Sequence, residues 1–353
     1  MRIPACRIDR QLISRPRFAA PAEVVAWFGA MQAQDYRAAL WALGLRTPGA
    51  TEATIEAAIA EGRVIRTHVF RGTWQFVARE DLRWMLDLVG SRLIASWTPG
   101  FRRHGLDART LGRCAELWAK ALAGGRHLTR PEMAAVLTRG RIAAASRLSY
   151  ILGYAEMAGV IASGGRRGKQ PTWALLDDRV PASRPVARDE ALAELARRYF
   201  QSRGPATLKD FAWWTGLPAG QTREALELVR GELVSKQEGG ETYWLVDGKT
   251  VPRKSPSAHL LPAFDEFLVG YQDRSAVLDP AHRRRVNAGG GMLSPSVVAD
   301  GRIVGTWRRS IGRDAVTVAV SPFARLTASE REAIRTAAGR YGRFLDGAVR
   351  VSF

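Results

Sequence analysis

Cysteine is scarce in this chain: two residues in 353, Cys6 and Cys114. They form no metal-spaced pair. Such sparse use suits a reducing compartment, so the expected location is the cytoplasm, with a Cys6–Cys114 disulfide left open. Histidine is equally thin, five scattered residues with no His-x-x-x-His spacing. Together these two shortages argue against a zinc site, and no metal or cofactor is expected. Long apolar runs are missing as well. No stretch of 18 apolar residues exists, which argues against a transmembrane helix. The opening "MRIPACRIDRQLISRPRF" alternates apolar residues with charges and lacks the apolar core of a secretory signal. There is no long amphipathic helix with a Lys-rich face to lie on a membrane.

Positive charge, by contrast, is abundant. Lys+Arg total 53 against 34 Asp+Glu, a formal net charge of +19. Only six of those cations are lysine. A GC-rich genome explains arginine over lysine but not cations over anions. The excess points to a polyanionic partner, most simply nucleic acid. With 46% hydrophobic and 25% charged residues, the chain is ordinary for a folded protein and long enough for several domains.

A helix–helix–helix–hairpin theme recurs. Its clearest copy is residues 186–250. Leu192, Leu195, Ala196 and Tyr199 have helical spacing, Thr207 caps the next helix, Ala225, Leu226, Val229 and Leu233 form a third stripe, and "VSKQEGGETYWLV" reads as a hairpin. A second copy spans 91–182, with Thr129 as cap and a wing tipped by Arg166, Arg167 and Lys169. A divergent copy occupies 1–90, its hairpin "RVIRTHVFRGTWQFV" turning at Arg71-Gly72. Three helices and a two-stranded hairpin make a winged helix. Residues 256–353 change texture, alternating strand patterns around one helix at "TASEREAIRTAAGRYGRFL", which predicts a small barrel or a sheet capped by a helix. The Pro-rich stretches 180–189 and 251–257 read as linkers. The fold class is therefore α+β: tandem winged-helix (helix-turn-helix) domains followed by a C-terminal β-barrel-like domain.

Several features invite a sharper reading than they deserve. Gly164 to Lys169 resembles a phosphate-binding loop, but the spacing is one residue short and Gln170 stands where Ser or Thr would bind magnesium. A basic hairpin tip is the better reading. "NAGGGMLSP" is a turn, not a nucleotide fingerprint. Asp265 and Glu266 look like an acid–base pair, but neighbours on a strand face opposite ways, and Asp265 reads as an anchor for an arginine. Arg283 to Arg285 are phosphate contacts or solvated charge.

The most informative stretch is "MQAQDY". Gln32 and Gln34 lie two apart between apolar flanks. The bland reading is the wet face of a short strand. The surrounding blocks say more: "GAMQAQDYRAALWALGLR", "VIRTHVFRGTWQFVAREDLRWMLDL", "HLLPAFDEFLVGYQDR" and "IVGTWRR" together resemble the AlkZ/YcaQ-like DNA glycosylases over almost the whole chain. The resemblance implies tandem winged helices and a β-barrel arranged as a C around duplex DNA. It implies excision of alkylated purines and, in some members, unhooking of interstrand crosslinks. The family's catalytic motif is Gln, an apolar residue, then Gln or Asp, so the role carries over to Gln32 and Gln34.

The chemistry fits two amides. A purine alkylated at N7 or N3 is cationic and already a good leaving group. What remains is to hold a water against the oxocarbenium-like C1′ and to supply a complementary field. An amide carbonyl accepts from water while its NH2 donates, and i, i+2 residues of an extended segment point the same way. Asp35 is read as structural. With no lysine near the motif no Schiff base is expected, so the enzyme would be monofunctional. Candidate DNA contacts are Arg66, His68 and Arg71 in the first hairpin, Arg166, Arg167 and Lys169 at the second wing, and Arg308 and Arg309 after "GTW". The expected partner is double-stranded DNA with alkylated purines, and the expected state a monomer. The alternative is a non-enzymatic winged-helix DNA-binding protein such as a transcription regulator.

Overall fold

The structure, a computed structural model, describes residues 2–248, 257–289, 291–312 and 314–353. Most of the 251–257 linker thus lies outside the described residues. Two compact units emerge: Met1–Ile55 with Leu192–Phe353, and Glu56–Ala191.

In the first unit, helices Ile3–Arg10 and Pro21–Phe28 lead to a three-residue strand, Ala30–Gln32, and then to helix Tyr36–Arg46. Gly29 makes the turn between helix and strand with φ +76°, a left-handed value that costs other residues strain. The Tyr36–Arg46 helix is all but enclosed, with Leu40, Trp41, Leu43 and Leu45 buried. It packs on helix Ala328–Phe344. Gly44 permits that approach, because a Cβ there would collide with the Phe344 ring.

Three helices follow, Arg188–Arg203, Leu208–Thr215 and Ala219–Leu228, and then the hairpin Leu233–Glu238/Glu241–Val246. The first two lie where the residue pattern puts them; the third stops at Leu228, so Val229 caps it and Leu233, read as part of its stripe, opens the hairpin instead. Thr207 accepts from Asp210 N–H and Asp210 answers the Thr207 N–H, a reciprocal cap.

The last segment is a five-stranded sheet in the order Val349–Ser352, Val316–Pro322, Arg302–Ile311, Ser296–Ala299, Ala258–Leu261. Only the first pair is parallel. The sheet is a half-barrel rather than a closed barrel, its edge strands Ala258–Leu261 and Val349–Ser352 being unpaired to each other. Helix Ala328–Phe344, capped by Thr327 and Glu330, covers it. Trp41, Trp307, Tyr341 and Phe344 fill the space between them, the Trp41 and Trp307 ring centroids 4.9 and 5.1 Å from that of Tyr341. The sequence expected a strand through Asp265. Instead Asp265 caps the short helix Glu266–Val269 by accepting from Phe267 N–H.

The second unit holds the antiparallel hairpin Val64–His68/Trp74–Ala78. Around it lie helices Leu82–Arg103, Ala108–Leu122, Arg130–Arg139 and Leu148–Met157, and a small sheet of Leu128–Thr129, Thr172–Leu175 and Ile161–Ser163. Thr129 and Glu132 form the expected cap on Arg130–Arg139. Cys6 and Cys114 are both buried and are not joined in a disulfide. Among the described residues no helix is long and apolar enough to cross a membrane, and no cluster of three His, Cys, Asp or Glu could hold a metal.

Candidate active site

The Gln-Ala-Gln segment is the exposed end of a buried strand. Ala30, Met31 and Ala33 are wholly enclosed, Gln32 is half-buried and Gln34 exposed. The extended segment stops at Gln32, so the two amides are not simple i, i+2 neighbours of one strand. The Gln32 side chain bends back: its Oε1 accepts from the N–H groups of Ala33 (2.9 Å) and Gln34 (3.0 Å). Both neighbours are donors, so the atom that faces them is the carbonyl oxygen and not the NH2. Asp35 caps helix Tyr36–Arg46 by accepting from Ala38 N–H at 3.1 Å, the structural part expected of it.

Behind the motif lie two buried arginine–carboxylate pairs. Arg203 donates to Glu266 Oε2 from Nε (3.0 Å) and Nη2 (2.6 Å). Trp214 Nε1 donates to the same oxygen (3.2 Å). The other oxygen, Oε1, accepts the Gln32 N–H at 2.7 Å. Arg203 also donates to the carbonyls of Phe28 and Ala30, each at 2.8 Å. One ion pair thus grips the motif strand by its carbonyls and by its last N–H. Beside it Arg46 and Asp265 form a bidentate pair, 2.8 Å for each of the two hydrogen bonds, with neither side chain exposed. Both guanidinium carbons lie near the Phe28 ring, 5.3 Å for Arg46 and 5.0 Å for Arg203.

This arrangement settles what the two carboxylates do locally. Asp265 anchors an arginine, as its sequence context suggested. Glu266 has both oxygens committed to donors and is no free acid or base. Tyr271 closes the network, its hydroxyl donating to the Arg203 carbonyl (2.7 Å) and accepting from Gln11 (2.9 Å). Burial pushes that phenol up to about 12, so it stays protonated. The sequence singled out Glu266 only as part of a false dyad. Arg203 and Trp214 carried no signal, being ordinary helix residues far away in the chain, and Arg46 was not singled out although it ends the helix that follows the motif.

The candidate DNA-binding residues are distributed unevenly. Arg308 and Arg309 share the strand Arg302–Ile311, but alternate faces. Arg308 is exposed; Arg309 is half-buried and donates to the Tyr341 hydroxyl. In the second unit, Arg66 lies over Trp74, its Cζ 4.0 Å from the ring centroid. His68 is buried, its Nδ1 2.5 Å from Glu156 Oε2, and Glu156 also accepts from Trp74 and Trp173. Arg71 takes a left-handed φ of +57° at the turn. In the turn between strands Ile161–Ser163 and Thr172–Leu175, Arg166 pairs with Glu56, and Arg167 pairs with Glu132 and donates to the His127 carbonyl. Lys169 is exposed. The Arg167–Glu132 pair is solvated and screened, so it contributes little to stability.

Comparison with known proteins narrows this picture in two steps. The family match places this basic α+β chain among the DNA glycosylases. More narrowly, it belongs to the DNA glycosylase AlkZ-like family, which it matches over residues 25–344. It is similar to an interstrand DNA cross-link repair glycosylase of Streptomyces sahachiroi, 27% identical over 323 residues and covering 86% of each chain. Its fold is that of the solved Streptomyces sahachiroi DNA glycosylase AlkZ, with a TM-score of 0.82, 24% identity, and coverage of 99% of this chain and 98% of that one.

Proposed function

We propose that this protein is a monofunctional DNA glycosylase that hydrolyses the N-glycosidic bond of cationic N-alkylated purines, N7-alkylguanine and N3-alkyladenine. The name of its Streptomyces relative extends the proposal to unhooking of interstrand crosslinks. The observation that carries the reading is the Gln32–Ala33–Gln34 segment: two amides at the exposed end of a strand held from behind by a buried ion pair.

The roles divide between the amides. Gln32 spends its carbonyl on its own backbone, so its part in the chemistry falls to its NH2. Gln34, exposed, offers a carbonyl that accepts from the attacking water. Neither amide removes a proton near neutral pH. The water needs only positioning, because the cationic base departs readily and C1′ becomes oxocarbenium-like. Neutral, stable lesions are therefore poor substrates. The proton lost by the water passes to solvent, and the product is an abasic site with the strand intact.

The three helix–hairpin groups act as winged helices on the duplex, with Arg66, Arg71, Arg166, Arg167, Lys169, Arg308 and Arg309 as DNA-binding residues; His68, expected among them, is buried against Glu156 and does not reach DNA. Exposed cations bind phosphate directly, while His68, through Glu156, positions the first hairpin. The enzyme acts as a monomer in the cytoplasm, without cofactor. The test is incubation with duplex DNA carrying one N7-methylguanine, followed by mild alkali to cut at abasic sites. Cleavage after alkali and none before supports the reading. No cleavage with N7-methylguanine, N3-methyladenine or a crosslink overturns it and leaves a non-enzymatic DNA-binding protein.

A further inference from the structure

A pocket of about 90 Å³ opens beside the motif at the start of helix Tyr36–Arg46. Its mouth carries Asp35, the residue after Gln34, together with Arg37 and Arg309. Its walls are apolar: Trp41, Trp307 and Tyr341, with Pro262 and Pro295. The polar edges of those rings are already spent. Trp41 Nε1 donates to the Leu260 carbonyl (2.7 Å), Trp307 Nε1 to that of Leu261 (2.8 Å), and the Tyr341 hydroxyl accepts from Arg309. The walls therefore present mainly ring faces and carbon to a guest.

We infer that this pocket receives the apolar substituent carried by the alkylated base, and so sets which adducts are favoured. The inference rests on the glycosylase reading above. The site is small by the standard of cavities that enclose a whole ring, so the guest is a short alkyl arm or the leading edge of a larger one. Neither glutamine lines it, so a methyl adduct should be excised without using it. The protein would then take small lesions on the motif alone and gain on longer apolar ones through burial.

The test compares two duplexes that differ only in the substituent, N7-methylguanine and N7-butylguanine, each corrected for spontaneous depurination. Ala38 and Ala263 face the pocket from separate segments, and Ala38→Leu or Ala263→Leu fills it. The expected result for each variant is a fall of about tenfold in kcat/KM on the butyl adduct, with the methyl adduct within about twofold. Two variants from separate segments guard against one that misfolds. Equal loss on both substrates, or no loss on either, overturns the pocket assignment. Equal loss of affinity for all DNA, together with weakening by inorganic phosphate, makes the pocket a phosphate seat and overturns it too. Failure of the wild type on both substrates instead overturns the glycosylase reading.

Discussion

Replacing Glu266 by glutamine should separate support of the motif from chemistry at it. The side chain keeps its shape but loses its charge. Arg203, with no side-chain exposure, is then a buried cation without a counter-ion, which costs about 3–5 kcal/mol. The new NH2 must also face either the Gln32 N–H or the Arg203 and Trp214 donors, so one set of donors is opposed. These costs overlap, and about 4 kcal/mol is a fair total. In a unit of roughly 200 residues each kcal/mol lowers Tm by about 2–4 °C, so the expected fall is about 8–16 °C. Calorimetry on the full chain reads the shift, and single-turnover excision of N7-methylguanine well below Tm reads the site. Excision should fall even where the protein is folded, because the three donors from Arg203 and Trp214 hold the amide oxygen and leave the new NH2 facing the Gln32 N–H. The double variant Arg203→Met/Glu266→Leu should regain stability, since an apolar pair avoids the buried charge, without regaining excision. A Tm within about 2 °C of wild type, with excision unchanged, would refute the reasoning.

Other outcomes follow from the same geometry. Removing the second wing's cations (Arg166→Gln, Arg167→Gln, Lys169→Gln) should weaken DNA binding and reduce the slope of log affinity against log salt by about one for each phosphate no longer neutralised; an unchanged slope removes the wing from the interface. Borohydride added during turnover should trap no protein–DNA adduct, since no amine attacks C1′; a trapped band contradicts the monofunctional reading. His127 has its pKa lowered, first by burial and then by Arg179 and Arg167. The folded state therefore binds fewer protons, and the contribution is full above the ordinary value of 6.5 and is lost as pH falls through the lowered one. Thermal unfolding from pH 8 to 5 should show second-unit stability falling on the acid side, and His127→Asn should flatten that slope.

What the sequence revealed depends on whether the determinants are local. The Thr129/Glu132, Thr207/Asp210 and Thr327/Glu330 caps are three-residue signals, and the helices they open lie where they were expected. The basic hairpin tip was likewise legible because a run of glycine and arginine needs a turn. The longest helix, Leu82–Arg103, was not, because Gly90, Gly100 and Pro99 look like breaks. The two glycines serve packing instead: a Cβ at Gly90 would lie 2.6 Å from the Met157 carbonyl, and one at Gly100 2.7 Å from the Tyr150 ring. The motif was visible as a tripeptide in context, but its support was not. Arg203 and Glu266 are 63 residues apart, and nothing in the pattern distinguishes that arginine among so many. Nor does alternation along a strand reveal that Gln32 turns its carbonyl back onto its own backbone.

The most direct test of the account is single-turnover excision of N7-methylguanine by Gln32→Ala, Gln34→Ala and the double variant, with DNA affinity measured alongside. Removing groups that hold the attacking water should lower the rate by about 10²-fold or more for Gln34→Ala, with affinity within a few-fold of wild type. The double variant should be little worse than the poorer single one, because the two amides act as a unit. Wild-type rates in all three variants would return both glutamines to the solvated end of a strand and contradict the central claim.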